Sequence, residues 1–169
     1  SLEDALEAED FEKVDLQALV SNYVANCRTM HPDRVFVYKG IEHPAFAMVS
    51  DSRIEQLLDK LLDNAVDFSS VGTTITIGIT VRGTSLTLFV TNQGSPIPAD
   101  KLDNVFDSMV SIRETDTRLH FGMGLYVVRV IAEHHGGSVS AENLLSGRGV
   151  TIKVVLPLQS DRVAEMAAG

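Results

Sequence analysis

Apolar residues recur at helical spacing in three stretches of the chain. Leu16, Leu19, Val20, Tyr23, Val24, Cys27 and Met30 follow an i, i+3, i+4 pattern behind Asp15, a candidate N-cap, and Pro32 stops the run. A second stripe, Ile54, Leu57, Leu58, Leu61, Leu62, Ala65 and Phe68, predicts a helix capped by Asp51 or Ser52 and ended by Ser70. Burying such side chains is worth about 1.5–3 kcal/mol each before entropy is subtracted, which makes this helix a central core element. The third helix opens at Gly122-Met123-Gly124, carries Leu125, Val128, Ile131, Ala132 and His135 on one stripe, and ends at Gly136-Gly137.

Between these stretches the period changes to two. Residues 11–14, 34–39 and 45–49 read as short strands. In 74–81, Ile75, Ile77, Ile79 and Val81 share one face. Arg82-Gly83-Thr84 predicts a hairpin turn, and 86–91 returns as the next strand. Residues 92–98 read as a Gly/Pro loop, 99–109 as a short helix, and 111–121 as a polar, aperiodic segment. Residues 138–142 and 150–156 predict a last strand pair, and 160–169 a fraying tail. Helices and strands interleave, yet hairpins join several strands. That combination favours a mixed or mostly antiparallel sheet under one helical layer over a doubly wound parallel sheet.

Length and composition then narrow the classes. The 169 residues suit one domain and bury a sizeable core, about 68–70% of the unfolded surface at this size. Lys plus Arg is 14 against 23 Asp plus Glu, a net charge of −9. So acidic a chain is a poor partner for nucleic acid or an anionic membrane surface, and any phosphate it binds needs a local device. The single cysteine, Cys27, excludes an internal disulfide. No apolar run approaches the ~18 residues that suggest a membrane span.

Three polar features carry candidate chemistry. Lys60, Asn64 and Asp67 share a face of the second helix, with Asp63 beside them; alone, this is a solvated face with Lys60 paired to Asp63 or Asp67. Asn92-Gln93-Gly94-Ser95-Pro96-Ile97-Pro98 follows a strand, and Gly94 there lets a flat ligand approach the backbone; alone, it is a tight loop. Gly122-Met123-Gly124-Leu125 puts free amides at a helix start, an anion device or a simple hinge.

Taken in order, these features are far more specific. The chain resembles the catalytic ATP-binding domain of bacterial sensor histidine kinases, in the gyrase, Hsp90, histidine kinase and MutL superfamily, over residues 11–158. The stretch from Gln56 to Ser69 resembles the N box, 90–98 the first glycine box, Val105-Phe106-Asp107-Ser108-Met109 the F box, and 121–128 the second glycine box. His135-Gly136-Gly137 and Gly147-Arg148-Gly149 match the usual ending. The segment near Phe106 and Arg113 also resembles kinases encoded beside proteobacterial sortase systems.

The resemblance implies a Bergerat-type α+β two-layer sandwich: a mixed, mostly antiparallel sheet covered on one face by about three helices. It implies ATP and Mg²⁺ as cofactors, with Asn64 as the metal ligand and catalytic residue. Asn92 stands where the family usually has an Asp that accepts from the adenine amino group; a carboxamide oxygen can still accept there. Gly94 and Ile97 line the base side, Gly122, Gly124 and Leu125 the phosphate side, Asp67 and Phe106 also belong to the implied nucleotide-binding set, and 111–121 forms a lid in which Arg113 or Arg118 replaces the family's arginine. Such lids move in ligand-free domains.

Several positions depart from the family pattern. Lys60 stands where most sensor kinases have Asn, Asp67 where a cation is common, and Val150 where a small hydroxyl residue is frequent. Met109 or a neighbour replaces an F-box aromatic. Lys60 has two roles open, phosphate contact or pairing with Asp63 or Asp67, and pairing is the expectation. The gyrase and Hsp90 branches place a water-activating Glu four residues before the Asn; Lys60 occupies that position, so little ATP hydrolysis is expected.

The implied activity is γ-phosphoryl transfer to a histidine on a separate helical dimerisation domain. None of His31, His43, His120, His134 or His135 lies in an acceptor context, so the chain is expected to be a piece of a longer protein. Residues 1–10 would be the linker from that helical domain, 11–158 the catalytic domain and 159–169 a tail. Implied partners are that helical domain and a response regulator, with no nucleic acid and no direct membrane contact. A monomeric domain on the cytoplasmic side of a membrane-anchored sensor follows from the same resemblance. Two alternatives remain open from sequence: a degenerate, non-catalytic interaction module of this fold, and a Ser/Thr kinase of anti-sigma-factor type.

Overall fold

The computed structural model describes residues 1–107 and 122–160. Its main sheet has five strands in the order β2-β4-β5-β7-β6: β2 Val35–Lys39, β4 Thr74–Arg82, β5 Ser85–Gln93, β7 Gly149–Pro157 and β6 Ser138–Asn143. Only β2 and β4 pair in parallel; the other pairs are antiparallel, and of these β4–β5 and β6–β7 are joined by short connections, while β5 and β7 meet from distant parts of the chain. The predicted hairpin closes with Arg82 opposite Ser85, and Gly83 takes a left-handed φ of 60°. A separate two-stranded ribbon joins β1 Glu12–Asp15 to β3 Phe46–Val49.

The inward face of the sheet is one aliphatic surface. Ile75, Ile77 and Ile79 of β4, Leu86, Leu88 and Val90 of β5, and Val150, Ile152, Val154 and Leu156 of β7 are all buried. The opposite face is Thr-rich, and there the Phe89 ring packs so closely on Gly78 that a Cβ would meet it at 2.2 Å. Three long helices complete the core with the sheet: α2 Leu16–Met30, α3 Asp51–Phe68 and α4 Gly122–His134. The expected α+β architecture is therefore the observed one. A short helix α1, Leu2–Glu7, precedes them.

Local physics sets the element boundaries. Asp15 caps α2 as predicted, accepting from the Gln17 N–H at 3.1 Å; the same oxygen accepts from Ala45 N–H at 3.0 Å, tying the helix start to the β3 entry. The cap of α3 is one residue earlier than predicted. Ser50, in extended conformation, accepts from the Arg53 N–H, while Asp51 and Ser52 already lie in or beside the first turn. Residues 99–109 were expected as a helix; the described part is a 3-10 turn over Ala99–Asn104, entered from Pro98 in extended conformation. Residues 108 and 109 lie outside the described residues, as does most of the expected tail.

The acidic N-terminal stretch, expected as the end of a preceding element, packs onto the domain. Leu6 of α1 is fully buried, Tyr126 donates to Glu3 at 2.9 Å, and Arg53 of α3 pairs with Glu9 at 2.9 Å. Thus α1 is held to α4 through Glu3, and the segment after it to the start of α3 through Glu9.

His135, read from sequence as a helix-end residue, is a buried link between α4 and α3. Its Nε2 accepts from the Ser50 N–H at 3.1 Å and its Nδ1 donates to the Ile131 carbonyl at 2.7 Å. Phe11 stacks on the ring at 4.5 Å. This bonding needs the neutral imidazole, since Nε2 must keep its lone pair. Burial, assisted by His134, holds the pKa below the usual 6.5, although the Ile131 bond acts the other way. A depressed histidine pKa makes the unfolded chain bind more protons between the two values. Stability is therefore full above pH 6.5, falls as pH drops toward the folded value, and levels off beneath it. The loss is about 1.4 kcal/mol per unit of depression. Urea melts at pH 7.5 and 5.5 check this: His135→Gln should be less stable at pH 7.5 but lose less on acidification. Equal losses in both proteins would refute it.

Candidate functional site

Helix α3 is amphipathic, and its polar side presents the predicted N-box residues. Lys60 and Asn64 are half-buried, whereas Asp63 and Asp67 are exposed. The expected pairing of Lys60 with Asp63 or Asp67 is not formed: among the described residues Lys60 has no carboxylate within 4.0 Å. Its stem runs to the neighbouring helix instead. A Cβ built on Gly124, at the start of α4, would lie 4.0 Å from the Lys60 Cδ. The carboxamide helix and the glycine-marked helix start therefore face each other. Gly122 opens α4 as predicted, and the fully buried Leu125 anchors its first turn in the core. With Lys60 beside it, that helix start joins free amides to a cation in a protein of net charge −9.

The second wall comes from the end of β5. The strand runs through Gln93, so Asn92 lies within it rather than in the predicted loop. It continues the inward row of Leu86, Leu88 and Val90 and is only 3% exposed. Its backbone partner across the ladder is Val150, also inward and buried. The Asn92 Nδ2 has no hydrogen-bond partner among the described residues.

Gly94 follows, pressed against the end of α3. It bridges Ser69, the Ser70 N–H donates to the Gln93 carbonyl at 2.9 Å, and the Gly94 N–H donates to the Arg148 carbonyl at 3.2 Å. These bonds join the first glycine box, the end of the N box and the turn before β7.

A residue that sequence analysis missed holds the rest of the loop. Asn143, at the end of β6, clamps Ile97: its Oδ1 accepts from the Ile97 N–H at 2.9 Å and its Nδ2 donates to the Ile97 carbonyl at 2.8 Å. Ile97 is drawn wholly into the core, in which Val105 and Phe106 are buried as well. A lone polar residue at a strand end gives no signal of such a clamp in one sequence. Arg113, Arg118, His120 and the expected lid fall outside the described residues. Cys27 is buried between α2 and the rest of the core, and burial pushes its thiol up to about 11, so it stays protonated at neutral pH.

The candidate site thus comprises a carboxamide on α3, glycine-flanked amides at the start of α4, and a buried carboxamide closing β5. Residues 50–160 match the family model described as Histidine kinase-, DNA gyrase B-, and HSP90-like ATPase. The chain belongs to that family, and its kind within it is the catalytic domain of bacterial sensor histidine kinases.

It is 34% identical over 172 aligned residues to sensor histidine kinase TrcS of Mycobacterium tuberculosis, an alignment covering 95% of this chain and 33% of that protein. It is 35% identical over 113 residues to a sensor-like histidine kinase of Rhizobium meliloti, covering 66% of this chain and 21% of the relative. The chain therefore spans a third or less of the length of these relatives. The fold is also that of the mycobacterial sensor histidine kinase MprB, with a TM-score of 0.73 at 23% identity over 89% of this chain and 99% of that one. The catalytic domain of histidine kinase ThkA superposes with a TM-score of 0.75 at 24% identity, over 88% and 96%. No helix among the described residues is long and apolar enough to cross a membrane.

Proposed function

We propose that the domain binds Mg²⁺-ATP in the cleft between α3, the start of α4 and the end of β5, and presents it to a histidine on a helical dimerisation domain. The observation that carries this reading is the approach of Lys60 to Gly124, which joins the N-box face to the second glycine box. The buried, unpartnered Nδ2 of Asn92 supports it from the base side, because an unmet buried amide costs about 1–3 kcal/mol unless a ligand meets it. When bound, Mg²⁺-ATP supplies the γ-phosphoryl group. Asn64 would give the metal one hard oxygen ligand, a donor that suits Mg²⁺. Among the described residues no cluster of three or more His, Cys, Asp or Glu is placed to hold a metal. The ion's other positions would then be phosphate oxygens and water.

Lys60 and the amides of Gly122 and Gly124 would balance phosphate charge and orient the chain of phosphates. Lys60 at the N-box position also leaves no carboxylate base there for attack by water, so transfer to an acceptor is favoured over hydrolysis. The relatives named above are all sensor kinases, which supports a histidine acceptor over a serine or threonine one. The histidine kinase ThkA has been solved in complex with its response regulator TrrA, and we infer an equivalent response regulator for this protein. The partner helical domain, residues 1–10 as the linker to it, and an anchor in the membrane belong to the same proposal, as does an isolated domain that is monomeric and does not phosphorylate itself.

Calorimetry with AMPPNP tests the site. Heat of binding in Mg²⁺, lost in EDTA, is expected, with a thermal shift equivalent to ~2.7 kcal/mol at a hundredfold excess over Kd. No heat and no shift at millimolar ligand would leave only an interaction module. Mixing the domain with a phosphoacceptor helical domain and labelled ATP should give acid-labile phosphate; acid-stable phosphate would point to a hydroxyl acceptor.

A further inference from the structure

The base end of the site has an unusual polarity. Asn92 sits in an inward row otherwise filled by Leu86, Leu88 and Val90, and its Nδ2 is unmatched. Val150, its partner across the ladder, is 2% exposed and brings no hydroxyl that would take up the amide. Gly94 lies beside the amide: a Cβ there would stand 3.6 Å from Nδ2, so the first glycine box runs directly past it. The structure thus keeps a hydrogen-bond donor, buried and uncommitted, at the end of β5.

We propose that this donor relaxes base selection, so that the site takes 6-oxopurine nucleotides, GTP and ITP, as well as ATP. The inference rests on the nucleotide site proposed above and concerns which base it admits. A carboxylate at this position would only accept. It would meet the adenine amino group well, but would set oxygen against oxygen when a 6-oxo group came in its place. A carboxamide carries an acceptor and a donor side by side, and a half-turn of its terminal torsion exchanges them. Adenine shows a donor at N6 and an acceptor at N1; guanine and hypoxanthine show an acceptor at O6 and a donor at N1. Asn92 can match either edge. Because Val150 is apolar, it gives neither orientation of the amide an added bond. An unmatched buried polar group is what makes a site reject the wrong ligand, and here the group adapts.

Calorimetry in Mg²⁺ with AMPPNP, GMPPNP and ITP tests this on the wild-type domain and on Asn92→Asp. The readout is the affinity ratio between each 6-oxopurine nucleotide and AMPPNP. In the wild type GMPPNP or ITP is expected within about thirtyfold of AMPPNP, and Asn92→Asp should widen the ratio by roughly 10–100-fold, the worth of one bidentate base contact. Val150→Thr gives a second, less intrusive variant: its hydroxyl can accept from Nδ2, fix the amide with its oxygen toward the base, and shift the ratio toward AMPPNP. A wild type that binds AMPPNP but disfavours both other nucleotides by more than about thirtyfold overturns the inference and leaves the ATP site standing. So does a ratio unchanged in both variants. A wild type that binds none of the three overturns the nucleotide site itself.

Discussion

Asn64→Ala is expected to abolish Mg²⁺-dependent nucleotide binding while leaving the domain slightly more stable. The two effects have separate causes. Asn64 lies in the second-to-last turn of α3, partly exposed, and its side chain makes no hydrogen bond to another described residue. Replacing Asn by Ala in a helix interior therefore removes no contact and improves helix propensity by up to ~0.7 kcal/mol. Binding behaves otherwise. Loss of an outer partner of a metal ligand already costs about 10–100-fold in affinity, so loss of the ligand oxygen itself should reach or pass the upper end of that range. Asn64→Asp keeps an oxygen in place and should retain Mg²⁺-dependent binding. Calorimetry with AMPPNP and a thermal melt on the same samples check both halves. Wild-type affinity in Asn64→Ala would remove Asn64 from the metal, and a large drop in melting temperature would show a structural role instead.

That the stability side of this prediction can be argued at all reflects how strongly α3 is written into the chain. Its stripe from Ile54 to Ala65 is buried as the spacing predicts, because an eighteen-residue helix with one apolar face has a single way to pack on a sheet. The alternation in β4 and β5 is equally plain, since Ile75, Ile77 and Ile79 can reach the core only from one face. The boxes were legible for the same reason: each sits where an element begins or ends, and the elements themselves could be read.

What the sequence did not disclose depends on contacts between segments far apart in the chain. The cap of α3 is Ser50 because the His135 ring, 85 residues away, takes up the Ser50 N–H and so fixes the extended residue at that point. Asp51 and Ser52 are equally good caps by composition. Lys60 turns toward α4 rather than toward Asp63 or Asp67, and a helical wheel of α3 alone cannot contain α4. Asn143 clamps Ile97 across 46 residues, and one polar residue at a strand end looks like any other. The extension of β5 through Gln93 has the same origin. Its last residues are paired along β7 as far as Gly149, so a stretch whose composition says loop is kept as strand by its neighbour.

Gly94→Ala should be the most damaging small substitution in the first glycine box, for stability and binding together. A Cβ at Gly94 would stand 2.1 Å from the Phe68 carbonyl oxygen, far inside the closest approach of real side chains, and that oxygen is backbone at the end of α3. No rotamer change relieves the clash. Either the loop lifts, breaking the Gly94–Arg148 and Ser70–Gln93 hydrogen bonds, or the last turn of α3 moves. Forced repacking of this kind costs about 1–3 kcal/mol, and the lost backbone bonds put this case at the upper end. The shift also separates Asn64 from the β5 wall, and a misplacement of ~1 Å in such a site costs on the order of a hundredfold. Gly72→Ala supplies the control: its φ of 79° is unfavourable for alanine, but nothing lies within 4 Å of the added carbon. That change should cost only the left-handed strain, about 1–2 kcal/mol, with nucleotide affinity kept. Urea melts and AMPPNP calorimetry on the two variants compare them directly. If Gly94→Ala proved no worse than Gly72→Ala in either measurement, the close contact between the N-box helix and the first glycine box would not be what fixes the cleft.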